Sequence, residues 1–242
     1  PEHNMVYLSK NDSRIKNCQA KEYTKGKGAF YRGCEYESED VALYEIDDIR
    51  IPFDLFCEFM GYWLSGGSTM GNAGVVISQQ EGEPARDRIV NCVKRIGFEP
   101  HLDKQKVAFY STPIRNYLKI FGKCSHKFIP SAIKNASVRQ IRIFLNAFML
   151  CDGYRRPCKS FVGNHGTEFK SDKDEILYFT VSERMAGDLS ELILKSGNRP
   201  SFSVNKAGVS HKSNGSIITS NYDCYSIREC YSVTATVFHK EI

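Results

Sequence analysis

A long apolar segment with the pattern of a buried helix occurs twice in this chain, and this repeat limits the folds that the chain can adopt. The first segment covers residues 51–65 and stops at the glycine pair 66–67. The second covers residues 138–151, begins after the candidate N-cap Ser137, and stops at the Asp-Gly pair 152–153. Both segments are apolar on almost every side, so we expect each helix to be buried on most of its faces.

The elements that follow the two helices also correspond. After the first helix, the patterns predict a strand at 75–78, a helix that ends at Gly97, strands at 98–101 and 106–111, and a helix from Thr112. After the second helix, they predict a strand at 177–182, a helix that ends at Gly197, and strands at 201–204 and 222–228. The repeated order predicts an α+β fold of two pseudo-symmetric halves. We place an N-terminal arm, extended or rich in β-structure, at 1–47, the first repeat at 48–134 and the second at 135–242.

Charge is unevenly distributed along the chain, although the net charge is only +5. Residues 101–150 hold nine Lys or Arg and one acid, whereas residues 35–48 hold seven acids and no base. Segregated charge of this kind suits a polyanionic partner such as DNA, and an ordinary solvated surface is the alternative.

Several other classes of protein find no support in the sequence. No apolar run approaches the roughly 20 residues that a membrane helix needs, and the chain does not start with a secretory signal pattern. The nine Cys include no Cys-x-x-Cys pair, so a zinc ribbon or redox motif is not indicated, and we expect reduced thiols, with Cys92 and Cys151 as small core residues. Glycine-rich dinucleotide and nucleophile-elbow motifs are also missing. We expect a protein of the cytoplasm, nucleoid or nucleus rather than a secreted or membrane protein.

The acid at the end of the second helix is the first candidate for chemistry. The Asp152 carboxylate stands at the negative end of the helix dipole, which is unfavourable by ~0.3–1 kcal/mol. A divalent cation bound to the carboxylate would offset this cost. The alternative is an ordinary turn aspartate before the capping residue Gly153.

The two helix ends resemble the paired motifs of the LAGLIDADG homing endonuclease family. Residues 59–67 (FMGYWLSGG) match the first motif, residues 145–153 (LNAFMLCDG) match the second, and the similarity covers about residues 50–230. The resemblance implies two motif helices packed side by side, with the small residues Gly61 and Ala147 at their contact. In the family each helix brings one acid to the scissile phosphates of a double-stranded DNA, where divalent metal ions orient water and stabilise the leaving oxygen.

One position departs from the family pattern. The first motif should end in Asp or Glu before its last glycine, but the residue there is Gly66, which has no ligand atom. The resemblance places the metal, Mg²⁺ or Mn²⁺ with Ca²⁺ as a substitute that does not support cleavage, at Gly66, Gly67, Cys151 and Asp152. We therefore expect strongly reduced cleavage and retained DNA binding.

A lysine before the second motif also resembles the family. The stretch Lys127-Phe128-Ile129-Pro130 is similar to intein-borne members, in which the lysine lies near the metal ions and helps to polarise water. For the second repeat, Lys206 and Lys240 are the candidates for the matching catalytic lysine. The alternative for Lys127 is a surface base that at most contacts a phosphate.

DNA recognition is expected on the strands, because in the family each antiparallel sheet forms one half of a saddle that lies in the major groove. Alternate strand residues would then point at bases or phosphates, and we expect about half of the candidates to touch DNA. In the first half the candidates are Ser78, Gln80, Lys104, Lys106 and Tyr110. In the second half they are Lys159, Lys170, Thr180, Ser182, Arg199, Ser201, Lys206, Ser226 and Arg228.

The termini resemble parts of an intein. Residues 1–6 are similar to the segment after the Thr of the intein Thr-x-x-His motif, with His3 in the His position, but no splicing nucleophile and no terminal His-Asn pair is present. We expect an intein-encoded, monomeric endonuclease with a long and poorly palindromic target site. A free-standing or intron-encoded nuclease, a DNA-binding module of the same fold without catalysis, and a purely structural α+β protein are the alternatives.

Overall fold

A computed structural model describes residues 4–9, 15–19, 28–30, 36–157, 161–162, 168–169, 174–211 and 217–230. The chain divides into two compact units, Pro1–Cys34 and Glu35–Ile242. In the first unit, β1 (Asn4–Ser9) pairs antiparallel with both β2 (Ile15–Gln19) and β3 (Gly28–Phe30). The sequence pattern had indicated an arm rich in β-structure.

The first half of the second unit begins with the hairpin β4 (Leu43–Ile46) and β5 (Ile49–Pro52). It continues with α1 (Phe53–Gly66), β6 (Gly67–Met70), β7 (Gly74–Ser78), α2 (Arg86–Ile96), β8 (His101–Asp103), β9 (Lys106–Tyr110) and α3 (Thr112–Lys119). A 3₁₀ turn at Cys124–His126 and the short helix α4 (Ser131–Lys134) lead into the second half. Helix α1 starts two residues later than predicted, because Ile51 and Pro52 belong to strand β5.

The second half repeats these elements with two insertions. Its elements are α5 (Val138–Asp152), β10 (Gly153–Arg156), β11 (Phe161–Val162), β12 (Glu168–Phe169), β13 (Glu175–Thr180), α6 (Glu183–Lys195), β14 (Arg199–Asn205), β15 (Gly208–His211), β16 (Ile217–Ser220) and β17 (Cys224–Cys230). The hairpins β11–β12 and β15–β16 lie between strands that short turns join in the first half.

The two halves share one sheet topology. The strand order is β6-β7-β9-β8 in the first sheet and β10-β13-β17-β14 in the second, and all neighbours are antiparallel. In each sheet, the strand that follows α2 or α6 lies at one edge; these strands are β8 and β14. The last strand of each half, β9 or β17, lies between that edge strand and the inner strand β7 or β13. The predicted α+β fold of two pseudo-symmetric halves is therefore confirmed.

Local sequence signals set the helix ends. The predicted N-cap Ser137 accepts a hydrogen bond from the Gln140 amide, and Ser182 caps α6 in the same way through the Met185 amide. Helix α2 ends at Gly97, whose φ of 104° is in the left-handed region that favours glycine. Each side-chain cap satisfies an amide that would otherwise lack a partner in the first helical turn.

Helices α1 and α5 lie side by side at the centre of the core. A Cβ atom on Gly61 would stand 2.7 Å from the Ala147 Cβ and 2.7 Å from the Phe144 carbonyl oxygen, so the backbones approach closely where the sequence predicted small residues. Around this contact, Phe59 packs on Phe109 of the first sheet, with ring centroids 5.9 Å apart. The predicted helix contact is confirmed.

Part of the acidic run packs against the start of α5. Asp40 and Asp54 both form ion pairs with Arg139, and the Val41 amide donates to the Gln140 side chain. The ion pair with Arg139 therefore gives Asp40, one of the seven acids of the run, a structural partner.

The described helices include none that is both long and apolar enough to cross a membrane. The described thiols that are free belong to Cys57, Cys92, Cys124, Cys151, Cys224 and Cys230. Cys92 is fully buried in the core, as predicted, and Cys151 is half-buried.

Candidate functional site

Both central helices end in the same kind of junction, in which a glycine starts a strand immediately after the last helical residue. A Cβ on Gly67 would stand 2.3 Å from Trp63 Cδ1, and a Cβ on Gly153 would stand 2.6 Å from the Met149 Cα. The backbone of both glycines is extended, so they are needed for their lack of a side chain rather than for an unusual φ. These tight junctions fix the backbone positions of residues 66 and 152.

The contact between α1 and α5 continues to their C-terminal ends. The Cys151 thiol hydrogen-bonds Ser65 across the interface, and burial raises the pKa of this thiol to about 11. Gly66 and Asp152 follow these two residues directly, so the structure brings the two predicted motif ends together.

The Asp152 side chain is exposed to solvent, but neighbouring protein groups partly desolvate its carboxyl; we call the surroundings of Asp152, Lys127 and Cys224 the recess. This burial raises the pKa of the carboxyl above its usual range, and the positive charge of Lys127 opposes the shift. Burial also raises the pKa of the Cys224 thiol, with a further contribution from the Asp152 charge, so the start of β17 borders the recess.

Lys127 is a buried cap on the end of α1. Its Nζ donates hydrogen bonds to the carbonyl oxygens of Trp63, Leu64 and Gly67, at 3.0, 3.1 and 2.7 Å. The side chain is only 6% exposed, and desolvation lowers the pKa of the ammonium to about 8. Lys127 is therefore not a surface base, because it satisfies carbonyl groups that a helix end leaves without partners.

The backbone around Lys127 is held by the second half of the molecule. Ser182 Oγ donates to the Lys127 carbonyl oxygen at 2.6 Å, and the Ile129 amide donates to Asp188 Oδ2 at 2.8 Å. Asp188 and the N-cap Ser182 both belong to the α6 region. The Ser182 side chain is buried, so this DNA-contact candidate serves as a cap instead.

The residues at the helix ends do not fit a pair of divalent metal ions. Gly66 supplies no side-chain ligand, Asp152 supplies the one carboxylate, and the nearby Lys127 ammonium balances that carboxylate's charge. Among the residues that the structure describes, no three or more His, Cys, Asp and Glu side chains form a group that could hold a metal ion. Thiols such as Cys151 are soft ligands, whereas Mg²⁺ prefers oxygen.

The second lysine candidate, Lys206, lies next to the start of β17. It follows β14, is highly exposed, and pairs with Asp223 at 2.8 Å. The hydrogen bond to Asp223 raises the pKa of the Lys206 ammonium above its ordinary value, and the negative charge of Asp223 adds to this shift. The other lysine candidate, Lys240, lies outside the described residues.

The outward face of the first sheet carries three of the predicted DNA contacts. Ser78 pairs with Lys106, and Tyr110 lies further along β9 on the same face. Gln80 and Lys104 are exposed in the two adjoining loops. A hydrogen bond from the Glu81 amide to the Lys104 carbonyl oxygen connects these loops. The candidates of the first half therefore share one side of the sheet and its end.

In the second sheet, the strand register places some of the predicted DNA contacts on the outward face and others on the inward face. Outward positions are occupied by Arg199, Ser201, Ser226 and Arg228. Thr180 is opposite Tyr225 in the row of buried Ile176 and Tyr178, and its hydroxyl accepts a hydrogen bond from the Ser182 amide, so it does not share that face. Lys159 and Lys170 lie outside the described residues.

Two outward residues of this sheet, Tyr154 and Arg156, were not predicted from the sequence. Arg156 is opposite Glu175 and forms an ion pair with it. The signal was available, because Tyr154 and Arg156 alternate directly after Gly153, where a strand was not predicted.

Comparison with known proteins finds no matching family model and no matching curated protein. Similar solved structures include a variant of I-DmoI in complex with its target DNA in the presence of 2 mM Mg, with a TM-score of 0.45, 10% identity, and coverage of 78% of this chain and 98% of that one. For mesophilic variants of the homing endonuclease I-DmoI the TM-score is 0.44, with 11% identity and coverage of 77% and 92%. For the N-terminal LAGLIDADG domain of DUF199/WhiA it is 0.40, with 11% identity and coverage of 77% and 78%. Each similarity is one of backbone arrangement.

Proposed function

We propose that this chain is a site-specific binding protein for double-stranded DNA of the LAGLIDADG homing endonuclease type, encoded within an intein, in which phosphodiester cleavage is strongly impaired. The observation that carries the proposal is the pair of adjacent helix ends. Two helices related by the internal repeat deliver their last residues to one recess, and one of those residues is an acid while the other is Gly66.

The two sheets support the DNA-binding part of the proposal. Antiparallel strands expose alternate side chains, and a β-ribbon fits the width of the major groove. Polar and basic residues occupy these outward positions in both halves, with Lys106 in the first sheet and Arg228 in the second. Because both halves belong to one chain and carry different side chains, we expect a monomer that binds a long target with two unlike half-sites.

The residues of the recess explain why the expected cleavage is low. In active members, bound metal ions would orient water and neutralise charge on the scissile phosphate. Here Asp152 is the one carboxylate, and the three donors of Lys127 are already used by backbone carbonyls. Lys127 holds the end of α1 in place and contributes positive charge beside the DNA backbone, but no cleavage step follows from these groups alone.

A DNA-binding module that never cleaves is the second candidate. The observation that favours it is the positive charge of Lys127 near Asp152, which offsets the negative charge that would attract a divalent cation.

Restoring the missing acid distinguishes the two candidates. A Cβ on Gly66 would stand 3.1 Å from the Ser78 carbonyl oxygen and 3.9 Å from the Ser78 amide nitrogen, so small local shifts accommodate a side chain. The experiment incubates the parent, Gly66→Glu and Gly66→Asp with a randomised duplex library and Mg²⁺ and sequences the new DNA ends. Gly66→Glu with Asp152→Asn is the matched control, because it again leaves one carboxylate.

We expect discrete cuts from the Gly66→Glu or Gly66→Asp chain and none from the double variant. Salt-sensitive, sequence-specific binding without cuts from any variant would favour the module that never cleaves. Failure of the parent to bind any duplex would contradict the proposal as a whole, and would favour a purely structural protein.

A further inference from the structure

The outward faces of the two sheets differ in charge. In the second sheet, Arg156, Arg199 and Arg228 project from that face, and the acid that shares it is Glu175. Three arginines and one glutamate give the described strands of this face a charge of +2. Each arginine lies on a different strand, namely β10, β14 and β17, so the positive charge spans the width of the sheet.

Glu175 organises two of these arginines. Its Oε1 is 2.9 Å from Arg228 Nε, and its Oε2 is 2.8 Å from Arg156 Nε. The side chains of Arg156 and Arg228 remain about half exposed, at 49% and 47%. Arg156 and Arg228 therefore stand on either side of one carboxylate, fixed in position but still accessible to a larger anion.

The first sheet presents an almost uncharged outward face. Its charged residues in the described strands are Lys106 and Asp103, which are opposite each other and 4.0 Å apart, so their charges cancel. The remaining exposed surface is contributed chiefly by Met70 and Tyr110, which are 48% and 55% exposed. The His101 ring packs edge-on against Tyr110, with ring centroids 5.2 Å apart.

Arginines and uncharged side chains recognise different parts of a duplex. Guanidinium groups bind phosphate oxygens and displace counterions, which gives salt-dependent affinity with little sequence information. Exposed tyrosine and methionine side chains offer apolar contacts to base edges, including the thymine methyl group.

We propose that the two halves of this protein bind their DNA half-sites unequally, with the second sheet holding the phosphate backbone and the first sheet reading bases. This inference rests on the proposed function, because it assigns roles within the same DNA-binding surface. It adds an asymmetry that the repeated backbone of the two halves does not predict.

The experiment measures the salt dependence of binding by the full chain. A target is first selected from a randomised duplex library, and its dissociation constant is then measured over a range of KCl concentrations for the parent and for R156Q, R199Q, R228Q and K106Q. The matched control is K106Q, because it removes one outward positive charge from the first sheet. Circular dichroism and the Tm establish that each variant is folded.

We expect each arginine variant to lower the slope of log affinity against log salt by about 1, and K106Q to lower it by less than half as much. Phosphate ethylation interference should concentrate on one half of the target, whereas base substitutions in the other half should cost more affinity. The variant E175Q should steepen the slope, because it raises the charge of the second face.

Equal slope changes for K106Q and the arginine variants, or interference spread evenly over both half-sites, would overturn the inference while leaving DNA binding intact. Absence of any salt-sensitive duplex binding would overturn the proposed function as well, so the two failures are distinguishable.

Discussion

Replacing Gly61 by alanine tests whether the close approach of α1 and α5 holds the two halves together. The added Cβ would stand 2.7 Å from the Ala147 Cβ and 2.7 Å from the Phe144 carbonyl oxygen. Neither atom belongs to a flexible side-chain end, so the helices must separate locally, at a cost near the top of the roughly 1–3 kcal/mol range for overpacking. Alanine regains about 1 kcal/mol of helix propensity over glycine. We therefore expect G61A to lower the free energy of unfolding by about 2 kcal/mol.

Two further variants separate packing from propensity. Gly187 lies inside α6, and no atom stands within 4 Å of where its Cβ would be. G187A therefore makes the same change without the clash, and should raise the free energy of unfolding by about 0.5–1 kcal/mol. Adding A147G to G61A removes the contact with the Ala147 methyl group but not the contact with the Phe144 carbonyl, so stability should recover only in part.

Urea unfolding measures these differences through the fluorescence of Trp63, the one tryptophan of the chain, which is buried in α1 itself. For a chain of this length, about 2 kcal/mol corresponds to a Tm lower by about 4–8 °C. A G61A protein as stable as the parent, or stabilised to the same extent as G187A, would refute the inferred helix contact. Under the proposed function, G61A should also weaken cleavage by a Gly66→Glu chain, because it moves the two helix ends apart.

Three further predictions concern the residues around the helix ends and the second sheet. K127M should lower the free energy of unfolding by about 1–3 kcal/mol at neutral pH, because three carbonyl groups lose their donor; urea unfolding measures it. The pKa of Lys127 is about 8 in the folded chain against an ordinary 10.5, so the folded chain releases the proton at a lower pH than the unfolded chain. The parent should therefore gain stability relative to K127M as the pH rises from 8 towards 10.5. A stability difference that stays constant over this range would contradict the lowered pKa. G153A should be strongly destabilising, because its Cβ would stand 2.6 Å from the Met149 Cα, whereas G66A should change the Tm little. A thermal melt in which G66A lowers the Tm more than G153A would disprove the described junctions. E229Q should cost about 2–4 kcal/mol, because fully buried Glu229 accepts a hydrogen bond from Tyr178 at 2.7 Å and is the ionic partner of Arg142; unchanged denaturant unfolding would contradict this role.

The sequence predicted the parts of this fold that depend on local patterns. The repeat of two apolar helices, the N-cap Ser137 and the helix end at Gly97 follow from residue type and spacing, and all three are confirmed. The contact of Gly61 with Ala147 was expected from the resemblance to the LAGLIDADG family, and it is also confirmed. The strand β10 was not predicted, because four residues after a helix carry too little periodicity to be recognised.

The candidate site was harder to predict because its geometry depends on contacts between distant segments. Nothing in the sequence around Lys127 indicates that its ammonium reaches carbonyl groups 60 to 64 residues earlier in the chain. The division of outward and inward residues in the second sheet also required the register, which separates Thr180 from Arg228 although both had been predicted to contact DNA. Short patterns identify such residues, but tertiary structure decides which of them act together.

The contacts that complete the end of α1 do not depend on a side chain at position 66. The end of α1 is completed by the Lys127 ammonium and by the packing of Gly67 against Trp63, and residue 66 contributes no side-chain contact to either. A carboxylate at that position would face the negative end of the helix dipole, which is unfavourable by ~0.3–1 kcal/mol, while glycine has a lower helix propensity, so the two effects offset each other. Under the proposed function, the stability of the fold therefore does not depend on the residue that cleavage would need.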